Sequence, residues 1–369
     1  SGGLDSGSIT SEVARQLGTE IDRLHGMGFS YEPLEPEYIR AITDTWAIKN
    51  TLMFDGDTTP DTERIQQRVL QVNGAPQEHA NGYSHFPFYE YCQSKGIHHL
   101  LSGFGGDEAV TYPGGIPARL ELLDQGQWHA LWQRLPGAFP MRFGRLLKTV
   151  GTGLRMPTHN AAFLNTWKAR WPHHFLHPEA LNEFGIEPAY FATATYDERF
   201  RTLNDAVAYL LQRPMLATRL ENCSLMAASY GLDYAWPLLD PQLIQQYLNT
   251  PVHWKVGPKG ISRFLQRSAV TGVCPDKVAW KPNKDMGFAA GAAVAEASDN
   301  RELFQKALDL AESMPTALLG ICDAGRIRNM AQHALKQDIR GLEIRSAWFE
   351  NVHRMHHLTR WLDGFGFKG

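Results

Sequence analysis

The chain has 369 residues, of which 43% are hydrophobic and 20% charged, the balance of an ordinary globular protein long enough for two domains. Its formal net charge is −3 and it has no block of Lys or Arg, so we expect no nucleic-acid partner. No apolar run is long enough to cross a bilayer, so we expect no membrane association. Four separated cysteines without metal-ligand spacing favour a reduced, cytoplasmic setting.

The opening hexapeptide, Ser1-Gly2-Gly3-Leu4-Asp5-Ser6, has the chemistry of a phosphate-binding turn. Two glycines permit a tight turn with accessible backbone N–H groups, and a helical pattern from Ser11 to Leu17 follows. Asp5 would repel a bare phosphate, so we expect it to hold Mg²⁺ against that phosphate. A Gly/Ser-rich tail is the alternative explanation. The predicted pyrophosphate ligands are Ser1, Gly2, Gly3, Asp5 and Ser6.

This hexapeptide resembles the SGGxDS loop of ATP pyrophosphatases of the asparagine synthetase type, which cleave ATP between the α and β phosphates. The resemblance implies an α/β fold with an open parallel sheet of the adenine-nucleotide-binding, HUP-like type, and it implies ATP and Mg²⁺ as cofactors. Such a sheet delivers its phosphate loop from a hydrophobic strand. Since none precedes Ser1 in this sequence, we expect the N-terminal strand to be missing, together with any glutamine-hydrolysing domain before it.

Apolar periodicity predicts the elements between the first loop and residue 95. The resemblance places the adenine ring against the end of the first predicted strand, at Met27. The acidic, turn-rich stretch 55–61 favours a solvated loop over a metal site. The predicted strands are Ile21–Phe29 and Thr51–Asp55, and the predicted helices are Pro36–Lys49, Glu63–Val72 and Phe86–Ser94.

A second glycine-rich cluster, residues 102–108, directly follows a predicted buried strand from Gly96 to Leu101. A strand, a turn and then a helix would place Asp107 at the carboxyl edge of a parallel sheet, where open α/β folds bind ligands. We therefore expect Asp5 and Asp107 to share one magnesium-bound pyrophosphate. A carboxylate that serves only a helix N-terminus is the alternative for Asp107.

Leu101 to Glu108 resembles the LSGxGxDE segment of class B asparagine synthetases and their relatives. The two matching loops have the same order and spacing as in that family. The resemblance adds Ser102, Gly103 and Phe104 to the nucleotide-binding residues.

The rest of the chain reads as largely helical. Residues 118–200 are predicted as helices and loops that line the cleft, and residues 205–230 as one amphipathic helix or a pair. Asp240 before Pro241 is a helix-start signature, so a structural role is favoured for Asp240. Residues 300–363 read as three amphipathic helices. We predict an ATP-pyrophosphatase core at 1–117, a cleft-lining region at 118–200 and a helical synthetase region at 201–369.

Basic residues for the phosphates are expected in the last third of the chain. Arg263 lies where the family usually has a basic side chain, which makes it a candidate phosphate partner. The stretch 275–288 resembles an element whose lysine reaches the α-phosphate and the reacting carbonyl. Lys284 is our choice for that role, with Lys281 in reserve. Ala235 and Trp236 stand where the family usually has an Arg-bearing pair, which puts one family substrate contact in doubt.

Two histidine groups raise the question of a metal. For the group at 173–177 no carboxylate or Cys keeps helical register with the histidines, so surface or loop histidines are favoured. His353, His356 and His357 share one helical face, and a solvated helix face is the favoured interpretation.

The resemblance implies an AMP-forming ligase that joins a carboxylate to an amine in the cytoplasm. Class B asparagine synthetases usually carry Glu at position 104, whereas Phe104 cannot accept a proton. Related enzymes that close lasso peptides often have an aromatic residue or a His there. We therefore favour a macrolactam cyclase that acts on a precursor peptide, with a processing protease as a partner, over asparagine synthetase acting on aspartate. Glu221 is the candidate base, and a surface role is its alternative.

Overall fold

The computed structural model describes residues 2–29, 34–54, 62–76, 81–155, 161–192, 200–282, 300–336 and 342–364. The chain divides into two compact units. The first comprises Ser1–Ile65, Gln77–Pro157 and Asp197–Met286, and the second Gln66–Pro76, Thr158–Tyr196 and Gly287–Gly369. Each unit joins stretches that are distant in sequence. The three-part division into residues 1–117, 118–200 and 201–369 stays a prediction.

Helices dominate the described residues. In chain order they are α1 Leu4–Leu17, α2 Glu35–Trp46, α3 Thr62–Asn73, α4 Asn81–Ser94, α5 Gly115–Asp124, α6 Trp128–Arg134, α7 Phe139–Arg155, α8 Ala161–Arg170, α9 Pro178–Glu183, α10 Ile186–Ala192, α11 Leu203–Leu211, α12 Pro214–Ala228, α13 Pro241–Asn249, α14 Val252–Lys255, α15 Phe264–Ala269, α16 Asp276–Ala279, α17 Asn300–Glu312, α18 Thr316–Leu319, α19 Ala324–Lys336 and α20 Leu342–Gly364. Of these described helices, none combines the length and the apolar character that a membrane span requires.

Among the described residues of the first unit, four strands form two parallel pairs. Strand β1, His25–Phe29, pairs with β2, Asn50–Phe54, with Met27 opposite Leu52. Strand β3, His99–Leu101, pairs with β4, Asp233–Ala235. The described part of the chain is thus a mostly helical α/β structure with two small parallel sheets. This agrees with the predicted α/β class, whereas the open HUP-like sheet stays a prediction.

Two predicted strands are shorter in the structure. Residues 18–23 form a 3₁₀ segment, so β1 starts at His25 rather than at Ile21. The strand predicted from Gly96 starts at His99, because the residues before it close helix α4. Gly96 has a φ of +64°, and the N–H of Ile97 donates to the carbonyl of Cys92 at 2.9 Å. This geometry is a helix C-cap, in which glycine adopts the left-handed conformation most easily.

The helix expected directly after Asp107 is absent, and successive turns occupy residues 104–111. The N–H groups of Ala109 and Thr111 both donate to the carbonyl of Gly106, at 3.0 and 2.8 Å. The next helix, α5, begins only at Gly115. Asp107 therefore lies in a tight turn and not at a helix N-terminus.

Helix α1 packs against α2 and α16, and this packing fixes the position of the first loop. Gly7 makes the close approach possible. A Cβ at Gly7 would lie 2.9 Å from Cγ1 of Val278 and 3.1 Å from Cδ1 of Ile42. Val278 and Ile42 are both buried in the same apolar cluster. The core therefore holds the N-terminal end of α1 in place.

The second unit has its own core, and in its described residues between 300 and 364, where three helices were predicted, three long helices build that core. Helices α17 and α19 pack together, and α20 packs against α17, with the short α18 between α17 and α19. Trp348 is 1% exposed, and its ring makes edge contacts with Phe175 and Phe304.

Candidate active site

The first loop is shorter than predicted, because α1 already begins at Leu4 after Gly3. Asp5 and Ser6 lie in the first helical turn, where the N–H of Gly7 donates to the carbonyl of Gly3 at 2.8 Å. The helical pattern predicted from Ser11 thus extends seven residues further toward the N-terminus. Positive charge of the helix dipole is concentrated at this end and favours an anion. Ser1 lies outside the described residues.

The second loop lies directly against the first. A Cβ at Gly103 would be 2.5 Å from the backbone nitrogen of Ser6, and one at Gly106 would be 3.1 Å from Cγ of Asp5. Only glycine permits this approach of two backbones. Strand β3 aims the loop, since the N–H of Ser102 continues the ladder with a 3.1 Å bond to the carbonyl of Ala235. The structure therefore brings together the two loops that carry Asp5 and Asp107.

Arg263 joins the two carboxylates. Its guanidinium forms an ion pair with Asp107 through Nη2, and its Nη1 lies 3.8 Å from Oδ2 of Asp5. The Arg263 side chain is 11% exposed, Asp5 15% and Asp107 33%. Arg263 precedes α15 with a φ of +56°, a left-handed conformation that is uncommon for a non-glycine residue. One cation thus lies between the residues predicted to hold a magnesium-bound pyrophosphate.

The donor set around Asp5 fits Mg²⁺. Burial and the nearby Asp107 carboxylate raise the pKa of Asp5, while Arg263 lowers it, and the net direction is upward. Burial, with a contribution from Asp107, thus outweighs the attraction of Arg263 for the ionised Asp5 carboxylate. Nε2 of Gln266 donates to Oδ1 of Asp5 at 3.1 Å, and Oε1 of Gln266 is buried without a hydrogen-bond partner. Hard oxygen donors of this kind suit Mg²⁺.

Two carboxylates are a small ligand set. Among the described residues, no group of three or more His, Cys, Asp or Glu side chains is arranged for a metal. Mg²⁺ commonly takes one or two protein carboxylates and fills its remaining positions with water and phosphate oxygens. That Asp5 and Asp107 hold this ion together with a bound polyphosphate stays a prediction.

A second ionic group, not foreseen from the sequence, lies at the first loop. The N–H of Gly2 donates to Oε1 of Glu35 at 2.7 Å, and Nζ of Lys281 lies 3.7 Å from Oε2 of Glu35. Lys281 is 7% exposed and its ammonium lies 3.8 Å from the centroid of the Tyr38 ring. The reserve lysine is thus beside the loop, whereas Lys284 lies outside the described residues.

Phe104 lies on the second loop, where its N–H donates to Oγ of Ser102 at 3.1 Å. The guanidinium carbon of Arg219, on α12, is 3.7 Å from the centroid of the Phe104 ring. Nothing in the sequence spacing indicated this contact. Glu221, two residues further along α12, is exposed, and its role as a base stays a prediction.

Met27 lines a cavity of about 430 Å³. Its other lining residues include residues of α1, β1, β3 and the second loop. Ser6, Ser102 and Gly103 also contribute to it. The predicted contact of Met27 with adenine stays a prediction.

The other candidate metal positions either have structural contacts or lie outside the described residues. Nε1 of Trp348 donates a 3.1 Å hydrogen bond to Nδ1 of His173. At the start of α9, the backbone N–H of Glu179 donates to Nδ1 of His177. Burial, followed by the neighbouring His353 and His356, lowers the pKa of His357 to about 4. The acidic stretch 55–61 lies outside the described residues.

The comparisons with known proteins identify the family of the chain. No curated protein matches the chain significantly. The family model described as asparagine synthase matches residues 1–363, which is nearly the whole chain. The chain that brings Asp5 and Asp107 together at Arg263 therefore belongs to the asparagine synthase family.

Proposed function

We propose that this protein is an AMP-forming macrolactam cyclase, which joins the amine of a precursor peptide to one of that peptide's Asp or Glu side chains. Family membership implies the coarser activity, an ATP-dependent amide ligase. The meeting of Asp5 and Asp107 at Arg263, beside the glycine turn of α1, is the observation that supports adenylation. Asparagine synthesis from free aspartate is the second candidate.

Adenylation is needed because a carboxylate and an amine do not condense at neutral pH, where hydroxide would have to leave. A carboxylate oxygen attacks the α-phosphorus of ATP, the bond to the β-phosphate oxygen breaks, and pyrophosphate leaves. The amine nitrogen then attacks the acyl carbon, AMP leaves with the electron pair of the C–O bond, and the nitrogen loses a proton. The enzyme's task is to orient these groups and stabilise developing negative charge.

The chain supplies a group for each of these tasks. The amides of Gly2 and Gly3 at the α1 terminus are the proposed cradle for pyrophosphate. Arg263 is the proposed partner of a phosphate oxygen, and its present carboxylate partners already bring it to that end of the cleft. When bound by Asp5 and Asp107, Mg²⁺ would supply charge neutralisation for the leaving pyrophosphate.

A lysine is proposed to contact the α-phosphate and the reacting carbonyl. Lys284 holds this place in the proposal, and Lys281 is the alternative. The buried position of Lys281 beside Glu35 and the Gly2 amide supports the alternative, since its charge is already close to the anion loop. A lysine can serve as a point charge on phosphate.

The environment of Phe104 supports a peptide substrate over ammonia. Phe104 presents an aromatic ring with a guanidinium stacked 3.7 Å from its centroid. Neither group accepts a proton, and the cation disfavours an ammonium ion nearby. Tyr234 on β4 and Trp236 directly after it form a further aromatic stack, with ring centroids 4.7 Å apart. Such a surface suits side chains of a folded-back peptide.

We also propose that the two strand pairs belong to one open parallel sheet of the nucleotide-binding type. Strands β1 and β3 line the same 430 Å³ cavity, together with α1.

The proposal is tested by incubating the protein with ATP and Mg²⁺ and following pyrophosphate release. One arm contains a linear peptide with a free N-terminal amine and one internal Glu, and the other contains aspartate with ammonia. The expected result is pyrophosphate and a peptide lighter by one water. Asparagine as the main product would establish the second candidate instead.

A further inference from the structure

We infer that Arg219 is the residue that binds the carboxylate of the acyl substrate, with Phe104 holding its guanidinium flat. The inference rests on the proposed ligase function and adds the residue that selects the acyl group. Arg219 lies on α12, and its guanidinium carbon is 3.7 Å from the Phe104 ring centroid. It is therefore in direct contact with the loop that carries Asp107.

The charge of Arg219 has no carboxylate partner in the part of the chain that the structure describes. The titratable groups that face it are His85, Tyr89, Cys223 and Tyr234. Burial raises the pKa of both tyrosines and of the Cys223 thiol. Burial and the Arg219 cation lower the pKa of His85 to about 4. All four are neutral at pH 7, so none of them compensates the guanidinium.

An uncompensated cation in such surroundings favours an anionic ligand. Several NH groups of a guanidinium remain in its plane when its face stacks on an aromatic ring. These NH groups form the fork that binds a carboxylate with two parallel hydrogen bonds. The stack on Phe104 restricts the orientation of the fork before substrate arrives, which lowers the entropic cost of binding.

The location of the pair is suited to an acyl group. Phe104 is three residues from Asp107 and shares its turn with Ser102 and Gly103, the latter of which packs on the first loop. A carboxylate at Arg219 would thus be on the side of the second loop, apart from the Gly2 amide at the first. The repulsion between a substrate carboxylate and the ATP phosphates would be offset by the same guanidinium.

The test compares Arg219→Gln and Arg219→Lys with Arg213→Gln, a matched change at the start of the same helix. Binding is measured without ATP, by calorimetry, using the linear Glu-containing peptide and the same peptide with Gln in place of Glu. We expect Arg219→Gln to weaken binding of the Glu peptide at least tenfold and to leave the Gln peptide unaffected. Arg219→Lys keeps the charge without the planar fork, so its affinity for the Glu peptide should lie between those of wild type and Arg219→Gln.

In turnover, Arg219→Gln should raise the KM for the Glu peptide while the KM for ATP stays within about twofold of wild type. Phe104→Leu, which removes the stacking surface, should raise the KM for the Glu peptide by a smaller factor. Equal loss of Glu and Gln peptide binding, or unchanged Glu peptide binding in Arg219→Gln, would overturn the inference. If wild type binds the Glu peptide through Arg219 but forms no amide, the proposed function fails and the carboxylate site stands.

Discussion

The backbone N–H of Gly2 donates a 2.7 Å hydrogen bond to the carboxylate of Glu35. An anion thus already occupies one of the amides that the sequence assigns to pyrophosphate. Glu35 is in turn 3.7 Å from the ammonium of the buried Lys281. A polyphosphate that binds this amide must displace a carboxylate, and in doing so it gains access to the lysine.

Glu35→Gln should therefore strengthen binding of pyrophosphate. The amide keeps an acceptor for the Gly2 N–H, but it removes the competing negative charge and frees Lys281 for the ligand. We expect the dissociation constant for pyrophosphate to fall about fivefold, which corresponds to about 1 kcal/mol. Calorimetric titration of the purified protein measures the change.

Glu37→Gln on the same helix is the matched control. Glu37 forms an exposed ion pair with Lys277 at 2.8 Å, so its loss should leave pyrophosphate affinity unchanged. Equal affinities for wild type and Glu35→Gln would show that Glu35 does not compete at the loop.

Asp5→Asn should stabilise the protein when no Mg²⁺ is present. Burial and Asp107 raise the pKa of Asp5, so the folded state binds its proton more tightly than the unfolded chain does. Ionised Asp5 therefore costs stability as the pH rises through the raised pKa, and this cost disappears at low pH. We expect Asp5→Asn to raise Tm by about 2 °C near neutral pH, with a difference that shrinks toward pH ~4.

Mg²⁺ should reverse the order of the two melting temperatures, so that wild type becomes more stable than Asp5→Asn. Thermal unfolding in chelator and then in excess Mg²⁺ should show stabilisation of wild type and little effect on Asp5→Asn. Asp22→Asn is the control, because Asp22 forms an exposed pair with Lys49 at 3.0 Å. A wild type whose Tm is the same in chelator and in excess Mg²⁺, with pyrophosphate present in both, would argue against a metal at Asp5.

Gly103→Ala should separate the two loops. Its Cβ would meet backbone atoms, Ser6 N at 2.5 Å and Asp5 C at 2.8 Å, which cannot move like a flexible side-chain end. We expect at least a tenfold loss in ATP–pyrophosphate exchange and a lower Tm.

Gly144→Ala in α7 provides the comparison. No heavy atom lies within 4 Å of its Cβ position, so the change should be neutral or stabilising by about 0.5–1 kcal/mol. Exchange at the wild-type rate in Gly103→Ala would contradict the close packing of the loops.

The sequence predicted those features that depend on local chemistry. The start of α13 is one example: Asp240 accepts from the N–H groups of Gln242 and Leu243, as a cap before Pro241 should. The parallel pairing of β1 and β2 was instead implied by the resemblance to a family with a parallel sheet. Strand lengths were less predictable, because Lys95 and Gly96 serve the cap of α4 and shorten β3.

Contacts across long sequence distances were not predictable from periodicity. Glu35 meets Gly2 across 33 residues, and Gln266 meets Asp5 across 261. Helical periodicity gives the face on which a side chain lies, but not the element against which that face packs. The stacking of Arg219 on Phe104 has the same origin. Only tertiary packing brings these polar groups to the glycine loops.

Lys255→Met should remove a pH dependence of stability that lies outside the proposed site. Lys255 is 2% exposed, and burial lowers its pKa to about 8, although Glu121 acts in the opposite direction. The unfolded chain binds this proton more tightly, so the buried charge costs up to about 3 kcal/mol below pH ~8, and that cost is relieved as the pH rises toward 10.5. Its hydrogen bond to Asn204 at 3.1 Å offsets part of the cost. Chemical denaturation from pH 7 to about 10 measures the free energy of unfolding. Lys255→Met should be more stable than wild type by about 1 kcal/mol at pH 7 and equally stable at the upper end, with the exposed Lys277→Met as control. Parallel plots of this free energy against pH for wild type and Lys255→Met would exclude a lowered pKa of Lys255.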